Sequence, residues 1–183
     1  QTPAIKDAHD ATELTCANPA LRFNNVHFAY TEKRQILNGL SFDVPPGSKV
    51  AVVGESGAGK STLMKLLFRF YEPQQGDITI NGKDITSVTQ QSLRSHIGIV
   101  PQDTVLFNTT LLENIRYGNP DASDEDIKQV IKLAHLEAFV ESLPEKLDTT
   151  VGERGLKLSG GEKQRVSIAR ALLKGAPIMI FDE

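Results

Sequence analysis

The sequence predicts an α/β fold in which a core of strands and helices is interrupted by a mostly helical insertion. Two apolar runs carry this prediction: 49–53 has the β-branched pattern of a strand buried on both faces, and 178–181 is a second apolar strand. Between them, apolar residues at helical spacing and two helix-start signals fill much of 123–173. Strands that alternate with helices are typical of a sheet covered by helices.

The part before the insertion predicts strands and two helices. Positions 1–19 show neither a strand nor a helix period and are predicted to be a linker. Asn81 and Gly82 predict a hairpin with a primed turn. The predicted strands are 21–23, 26–28, 36–44, 49–53, 77–80, 83–85 and 97–100, and the predicted helices are 60–71 and 90–96.

The insertion predicts helices with clear starts. Ser123 with Asp126, and Ser159 with Glu162, have the spacing of capping boxes. The predicted helices are 123 to about 134, 137–143 and 159–173, and Pro177 then precedes the strand 178–181.

The composition is that of an ordinary globular chain. It has 183 residues and a net charge of −3, with 39% hydrophobic and 23% charged residues, so a disordered or fibrous chain is excluded. The slight acidity argues against nucleic acid as an obligate partner. The single cysteine, Cys16, excludes an internal disulfide. No apolar run approaches the roughly 20 residues that span a bilayer.

A glycine-rich turn between the predicted strand 49–53 and the predicted helix 60–71 matches the pattern G-x-x-x-x-G-K-[ST]. Glycines let backbone N–H groups turn toward one anion, and the helix N-terminus adds its positive end. Lys60 supplies a charge for the β- and γ-phosphates, and Ser61 supplies a hydroxyl for Mg²⁺. Since a strand and a helix flank the turn, a nucleoside triphosphate site is favoured over a chance match. Its residues are Gly54, Glu55, Ser56, Gly57, Ala58, Gly59, Lys60, Ser61 and Thr62.

A second anion site is predicted at the start of the helix 159–173. Ser159 at the N-cap, with Gly160 and Gly161 beside it, exposes amides at the positive end of a helix. One triphosphate does not need two such sites, so a second copy of the chain would present this helix to the γ-phosphate held by the first. The alternative is an ordinary N-cap followed by two flexible residues.

Two carboxylates end the strand 178–181. Asp182, at the tip of a central strand, is where a nucleotide enzyme holds Mg²⁺. Glu183 beside it would polarise an attacking water. The alternative is a solvated strand end. The order of phosphate loop, Ser-Gly-Gly helix and Asp-Glu strand makes the three segments informative together.

These segments, 54–61, 158–165 and 178–183, resemble the Walker A, signature and Walker B motifs of the ATP-binding cassette (ABC) superfamily. The resemblance implies a P-loop, RecA-like core with an N-terminal antiparallel β subdomain and an inserted helical subdomain, truncated at its C-terminus. The implied organisation is a linker at 1–19 from a missing transmembrane domain, a core at 20–101 and 166–183, and a helical subdomain at 102–165.

The same resemblance assigns roles to single residues. Tyr30 looks like the aromatic residue that stacks on adenine, and Gln102 looks like the glutamine that contacts Mg²⁺ and the attacking water. The loop 150–155 resembles the one that exporter cassettes press against their transmembrane helices. The implied catalytic residues are Glu183, Gln102 and Lys60, and the implied Mg²⁺ ligands are Ser61, Gln102 and Asp182.

Segments 92–108, 114–118 and 151–165 are similar to the mitochondrial and heavy-metal-tolerance half-transporters of the B subfamily. This implies a homodimeric exporter ATPase, coupled to a transmembrane domain, that moves glutathione-linked metal or iron–sulfur related cargo. It also implies the mitochondrial inner membrane with this domain in the matrix, or a vacuolar or other organelle membrane with this domain in the cytosol.

Two departures from the family pattern bear on activity. Glu162 stands where the wider superfamily has glutamine, as this subgroup often does. The family continues beyond Glu183 with a histidine at the γ-phosphate, and the four histidines of this chain all lie upstream. We expect the chain to bind ATP but to hydrolyse it poorly.

Two other functions fit the motifs. A non-transport cassette ATPase of DNA repair or translation is disfavoured by the negative net charge and the lack of sustained heptads. A nucleotide-binding regulatory domain without turnover is the second alternative. The loop 150–155 favours the exporter.

Overall fold

A computed structural model describes residues 5–31, 34–55 and 57–182. Contacts within the chain divide it into two units, Gln1–Ile97 and Gly98–Glu183. The first unit carries an antiparallel sheet, and the second carries most of the helices. The predicted subdomain limits at 101 and 166 stay predictions.

The first unit is built on a four-stranded antiparallel sheet. Its strands are β1 Leu21–Thr31, β2 Arg34–Val44, β3 Gln75–Ile80 and β4 Lys83–Asp84. They lie in the order β2-β1-β3-β4. The strands predicted at 21–23 and 26–28 are one strand, because a register shift between Asn24 and His27 lets β1 continue past the irregularity.

The β3–β4 hairpin has the predicted turn. Asn81 has φ 52° and Gly82 has φ 77°, so both central residues are left-handed, as a type I′ turn requires. The hairpin prediction is therefore confirmed. Ile78 and Ile80 of this hairpin are buried in the core of the unit.

Helix α1, Lys60–Leu67, ends before the predicted limit at 71. Arg69 has φ 52°, and the N–H groups of Arg69 and Phe70 donate back to the carbonyls of Leu66 and Lys65. This is the hydrogen-bond pattern of a Schellman motif, with an arginine where glycine is usual. Helical spacing alone could not show that the chain leaves the helix there.

The prediction of a strand buried on both faces at 49–53 is wrong for this structure. These residues form no strand, and Val50, Val52 and Val53 are 49%, 49% and 88% exposed. A β-branched run is buried as a strand only where neighbouring strands supply a ladder and cover. Within the part of the chain that the structure describes, no strand pairs with this run.

The segment predicted as a linker contacts the first unit over 5–14. Thr12 forms a bridge to Val88, and the N–H of Leu14 donates to Ser92 Oγ at 3.0 Å. Leu14 is buried. The absence of a strand or helix period therefore did not mean an absence of packing.

The second unit consists of helices around a buried core and two pairs of strands. The strands are β5 Ile97–Val100, β6 Thr109–Thr110, β7 Thr150–Val151 and β8 Ile178–Phe181, and β5 pairs with β8 and β6 with β7. The helices are α2 Gln90–Ser95, which lies in the first unit, and then α3 Leu111–Arg116, α4 Asp124–Leu133, α5 Glu137–Ser142 and α6 Gly160–Lys174.

The helices α4, α5 and α6 confirm the predicted ones, whereas α3, β6 and β7 were not predicted. Within the residues described, every helix is too short or too polar to cross a bilayer.

The capping box of α4 makes the stability of this helix depend on pH. Ser123 donates from its N–H and its hydroxyl to Asp126 Oδ2, and these bonds hold the pKa of Asp126 below its ordinary value. A lowered pKa in the folded state means that the ionised carboxylate stabilises the fold above the unfolded-state pKa, near 4. We therefore expect Asp126→Asn to lower the melting temperature at pH 7, and the difference from the unchanged chain to vanish as the pH falls through and below about 4. Thermal unfolding of both proteins between pH 7 and pH 3 measures this, and a constant difference would contradict the charge contribution.

Candidate functional site

The predicted phosphate loop follows 49–53 and leads into α1. Gly57 and Gly59 have φ 85° and 96°, which only glycine adopts readily, so the loop needs both of them. Lys60 Nζ donates to the carbonyl oxygens of Gly54 and Glu55 at 2.6 and 2.9 Å. The ammonium therefore lies over the loop, where it would meet an anion bound there. Ser56 lies outside the described residues.

The start of α1 is open to an anion. Gly59 is its N-cap, no side chain of the described residues caps it, and its first turn holds no acidic residue. The first N–H groups of a helix lack intrahelical partners and carry partial positive charge. A Cβ at Gly59 would lie 2.9 Å from Leu37 Cδ2, so the residue is also fixed by packing against β2. This loop therefore fits a phosphate group.

Tyr30, on β1, lies beside the same helix. Its hydroxyl is 3.2 Å from Thr62 Oγ1, and Lys65 Nζ lies 5.3 Å from the ring centroid. Phe28 and Tyr71 contact the ring edge-to-face, with centroids at 4.9 and 5.1 Å. Tyr30 remains 42% exposed, so the residue is accessible to a planar ligand. The structure thus brings Tyr30 and Thr62 together.

Ser159 is the N-cap of α6, and the predicted capping box is present. The N–H of Ser159 donates to Glu162 Oε2 at 2.7 Å, and the N–H of Glu162 donates to Ser159 Oγ at 3.4 Å. Gly160 and Gly161 are exposed, and a Cβ at Gly160 would meet nothing within 4 Å. The helix start is therefore an open surface. The Glu162 carboxylate already satisfies one donor there.

Asp182 and Gln102 follow the paired strands β8 and β5 in the second unit. The N–H of Asp182 donates to the carbonyl of Val100 at 3.0 Å, so the ends of the two strands lie side by side. Gln102 is exposed and comes shortly after Val100. Among the described residues, no cluster of three His, Cys, Asp or Glu side chains forms a metal site. Glu183 lies outside the described residues, and its role stays a prediction.

The predicted site residues are divided between the two units. Tyr30 and the loop 54–62 belong to the first unit. Gln102, Ser159 and Asp182 belong to the second unit.

The loop 150–155 has a defined conformation. Gly152 has φ 104°, and a Cβ there would lie 2.7 Å from Asn108 Oδ1, the same oxygen that accepts the N–H of Arg154 at 2.9 Å. The N–H of Leu156 donates to the Thr150 carbonyl at 2.9 Å and closes the loop. The side chains of Glu153 and Arg154 are exposed. The loop therefore presents both charged side chains to solvent.

The model of the family described as "ABC transporter" matches residues 37–183, which is most of the chain. The chain belongs to the ABC transporter family. The predicted family and fold class are confirmed. A solved structure of a bacterial Atm1-family ABC exporter with ATP bound covers 98% of this chain at 55% identity, with a TM-score of 0.93, and the match is 31% of that exporter chain.

Curated relatives of this ABC domain include transporters of the predicted type. The ATM1-type heavy metal exporter of Novosphingobium aromaticivorans is 55% identical over 98% of the chain and 29% of its own length. The mitochondrial iron–sulfur clusters transporter ABCB7 of Homo sapiens is 54% identical over 98% of the chain and 24% of its own length. The mitochondrial iron–sulfur clusters transporter ATM1 of Candida albicans is 58% identical over 89% of the chain and 22% of its own length.

The similarity to mitochondrial and heavy-metal half-transporters is thus confirmed. The chain spans about a quarter of the length of these relatives, as in the 24% of human ABCB7. ATP binding follows from membership of the family.

A buried hydrogen-bond network in the helical unit of this ABC domain was not predicted from the sequence. Asn114, fully buried, accepts from the N–H of Phe107 and donates to two backbone carbonyls. Arg170 on α6 donates to the Asn114 carbonyl at 2.6 Å and to the Val105 carbonyl at 2.8 Å. Its partial burial lowers the pKa of Arg170. The network fixes the segment after Gln102 to the helix that starts at Ser159. The sequence signal for this network was Asn114, a polar residue at a position where the helical spacing of Leu111 and Ile115 predicts a buried face.

Proposed function

We propose that this chain is the ATP-binding and ATP-hydrolysing domain of an ABC exporter. The observation that carries the proposal is the phosphate loop: left-handed glycines lead into a helix start that no described side chain caps, with Lys60 Nζ held over the loop. An anion with several oxygens would replace the loop carbonyls as the partner of Lys60. Tyr30, which is exposed and contacts Thr62 in the first turn of α1, would stack on adenine.

Three oxygen-bearing side chains would hold Mg²⁺ in this site. Ser61, Gln102 and Asp182 supply a hydroxyl, an amide oxygen and a carboxylate, which is the hard oxygen set that Mg²⁺ prefers. The ion would neutralise charge on the β- and γ-phosphates. Glu183 would accept a proton from the attacking water. Ser61 and Gln102 are exposed and Asp182 is half-buried, so all three are accessible to an ion.

A second copy of the chain would complete the site. The exposed start of α6, at Ser159, Gly160 and Gly161, would face the γ-phosphate bound to the partner chain. Hydrolysis removes the charge that holds this contact, so ATP favours the closed dimer and ADP the open one. The loop 150–155, with Glu153 and Arg154 exposed, would transmit closure to a transmembrane domain.

The relatives indicate the cargo and the membrane. Proteins at 53–58% identity are named as iron–sulfur clusters transporters of mitochondria, and another is named as a heavy metal exporter. We infer cargo of that chemical class, in glutathione-linked or iron–sulfur related form. The inferred location is the mitochondrial inner membrane, with this domain in the matrix.

Substitution of Ser159 separates nucleotide binding from dimer closure. We expect Ser159→Ala to leave the affinity of one chain for MgATP unchanged, because the phosphate loop is intact. The ATP-dependent dimer should weaken about tenfold, the amount that loss of one hydrogen bond to a charged group typically causes. Calorimetry measures the first quantity, and sedimentation velocity across a range of chain concentrations measures the second.

Ser123→Ala is the matched control. Ser123 caps α4 through the same kind of capping box, so both variants lose a cap that contributes about 1 kcal/mol. The control should leave the ATP-dependent dimer unchanged. Equal weakening by both variants would contradict a specific role of the α6 start.

A further inference from the structure

The C-terminal end of β1 extends beyond its neighbouring strand β3, and there the side chain of Gln74 provides the hydrogen bonds to β1. Strand β3 begins at Gln75, which pairs with His27, but β1 continues to Thr31. At Ala29, the side chain of Gln74 takes the place of a strand: the Ala29 N–H donates to Gln74 Oε1 at 3.0 Å, and Gln74 Nε2 donates to the Ala29 carbonyl at 2.8 Å. Both ends of the amide are therefore used by one backbone residue.

A close approach of the two strands brings Gln74 to this position. Gly76 has φ 79°, and a Cβ there would lie 2.2 Å from the Asn25 carbonyl oxygen and 2.3 Å from that of Asn24. Only glycine allows the backbones to come so near. The register shift between Asn24 and His27 falls at the same place, and the N–H of Gln74 donates to the His27 carbonyl at 3.0 Å.

Ala29 directly precedes Tyr30, whose ring is held from the other side. Thr62 contacts its hydroxyl and Lys65 lies over the ring, and both residues belong to α1. A groove of about 410 Å³ lies along this part of β1 and is lined by Tyr30 and Gln74 among others. The Tyr30 hydroxyl is therefore held by Thr62 of α1, and the backbone of the preceding residue, Ala29, is held by Gln74.

We propose that Gln74 is a positioning residue for the base of the nucleotide: its paired hydrogen bonds to Ala29 fix the backbone that aims Tyr30 at the purine. The proposal rests on the proposed function, in which Tyr30 stacks on adenine. Gln74 acts through Tyr30, because its amide is engaged by the backbone of Ala29. Its loss should affect ligands with a purine and spare ligands that consist of phosphate alone.

The test compares two ligands on Gln74→Met, which keeps the length of the side chain and removes its polar atoms. The dissociation constant of MgATP should rise about three- to tenfold, as expected for the loss of ordinary hydrogen bonds. The dissociation constant of inorganic tripolyphosphate should stay unchanged, because the phosphate loop binds it. Calorimetry of the full chain measures both.

Gln75→Met is the matched control, because Gln75 contributes its backbone to the strand pair and no side-chain hydrogen bond to the described residues. It should leave both dissociation constants unchanged. Equal weakening of both ligands by Gln74→Met would overturn the proposal in favour of a general effect on the fold. Tyr30→Ala separates the positioning role of Gln74 from the stacking role of Tyr30. If Tyr30→Ala weakens MgATP and Gln74→Met does not, the positioning role is wrong and the stacking role holds. If Tyr30→Ala has no effect, the stacking role is wrong, and the positioning role with it.

Discussion

Replacement of Lys60 by alanine is expected to weaken MgATP binding about 100-fold, the upper range for the loss of hydrogen bonds to a charged group. The Lys60 ammonium lies 2.6 and 2.9 Å from two carbonyl oxygens of the phosphate loop. It is therefore already placed where the β- and γ-phosphates would lie. The substitution removes this charge and leaves the loop glycines in place. Isothermal titration calorimetry with MgATP measures the change.

Lys49→Ala is the matched control, since it removes the same charge from an exposed lysine that lies shortly before the loop. It should leave the dissociation constant for MgATP within about twofold of the unchanged chain, because salt screens the interactions of an exposed charge. Equal affinity of Lys60→Ala and the unchanged chain would contradict the assignment of the loop as a nucleotide site.

Arg69→Ala is expected to produce the largest loss of stability, about 2–6 kcal/mol, because two buried carbonyl oxygens lose their donor at about 1–3 kcal/mol each. Arg69 is only 2% exposed. Its guanidinium donates to the carbonyls of Lys6, Ile85 and Val88 and pairs with the carboxylates of Asp7 and Glu72. Without it, acceptors that are turned away from water lose their donor. Urea unfolding, followed by circular dichroism, measures the free energy of unfolding.

Two variants test the origin of this loss. Arg69→Gly removes the same side chain but relieves the left-handed backbone at φ 52°, so it should be less destabilising than Arg69→Ala by about 1 kcal/mol. Arg22→Ala removes an arginine from the exposed pair with Asp43, in which the side chains are 64% and 57% exposed, and should change the unfolding midpoint little. Similar effects of Arg22→Ala and Arg69→Ala would show that the buried contacts are not the cause.

The local features of the candidate site could be predicted from neighbouring residues. Gly57 and Gly59 adopt the left-handed conformations that a phosphate loop needs, and Ser123 and Ser159 cap their helices as their spacing predicts. The Asn81-Gly82 turn is another case. Each depends on a few adjacent residues, whose conformational preferences and hydrogen bonds act within one turn of chain.

Features that depend on distant partners could not be predicted in this way. The run 49–53 has the composition of a buried strand, yet it is exposed because composition does not supply a neighbouring strand. Helix α1 stops early because Arg69 turns toward the segment 5–14 and the residues near 85–88, far along the chain. No sequence motif includes Gln74, because its hydrogen bonds with Ala29 depend on the approach of β3 to β1.

The motifs of this protein could be recognised from neighbouring residues alone: a phosphate loop, a second helix start and a carboxylate-ended strand, in the order that is typical of the ABC family. These motifs are readable because each requires particular residue types at fixed short spacing. The contacts that support these motifs became visible only in the folded chain: the buried Arg69, the Asn114–Arg170 network and the hydrogen bonds of Gln74 to Ala29. Burial and hydrogen-bond partners are set by residues distant in sequence, so no local pattern specifies them.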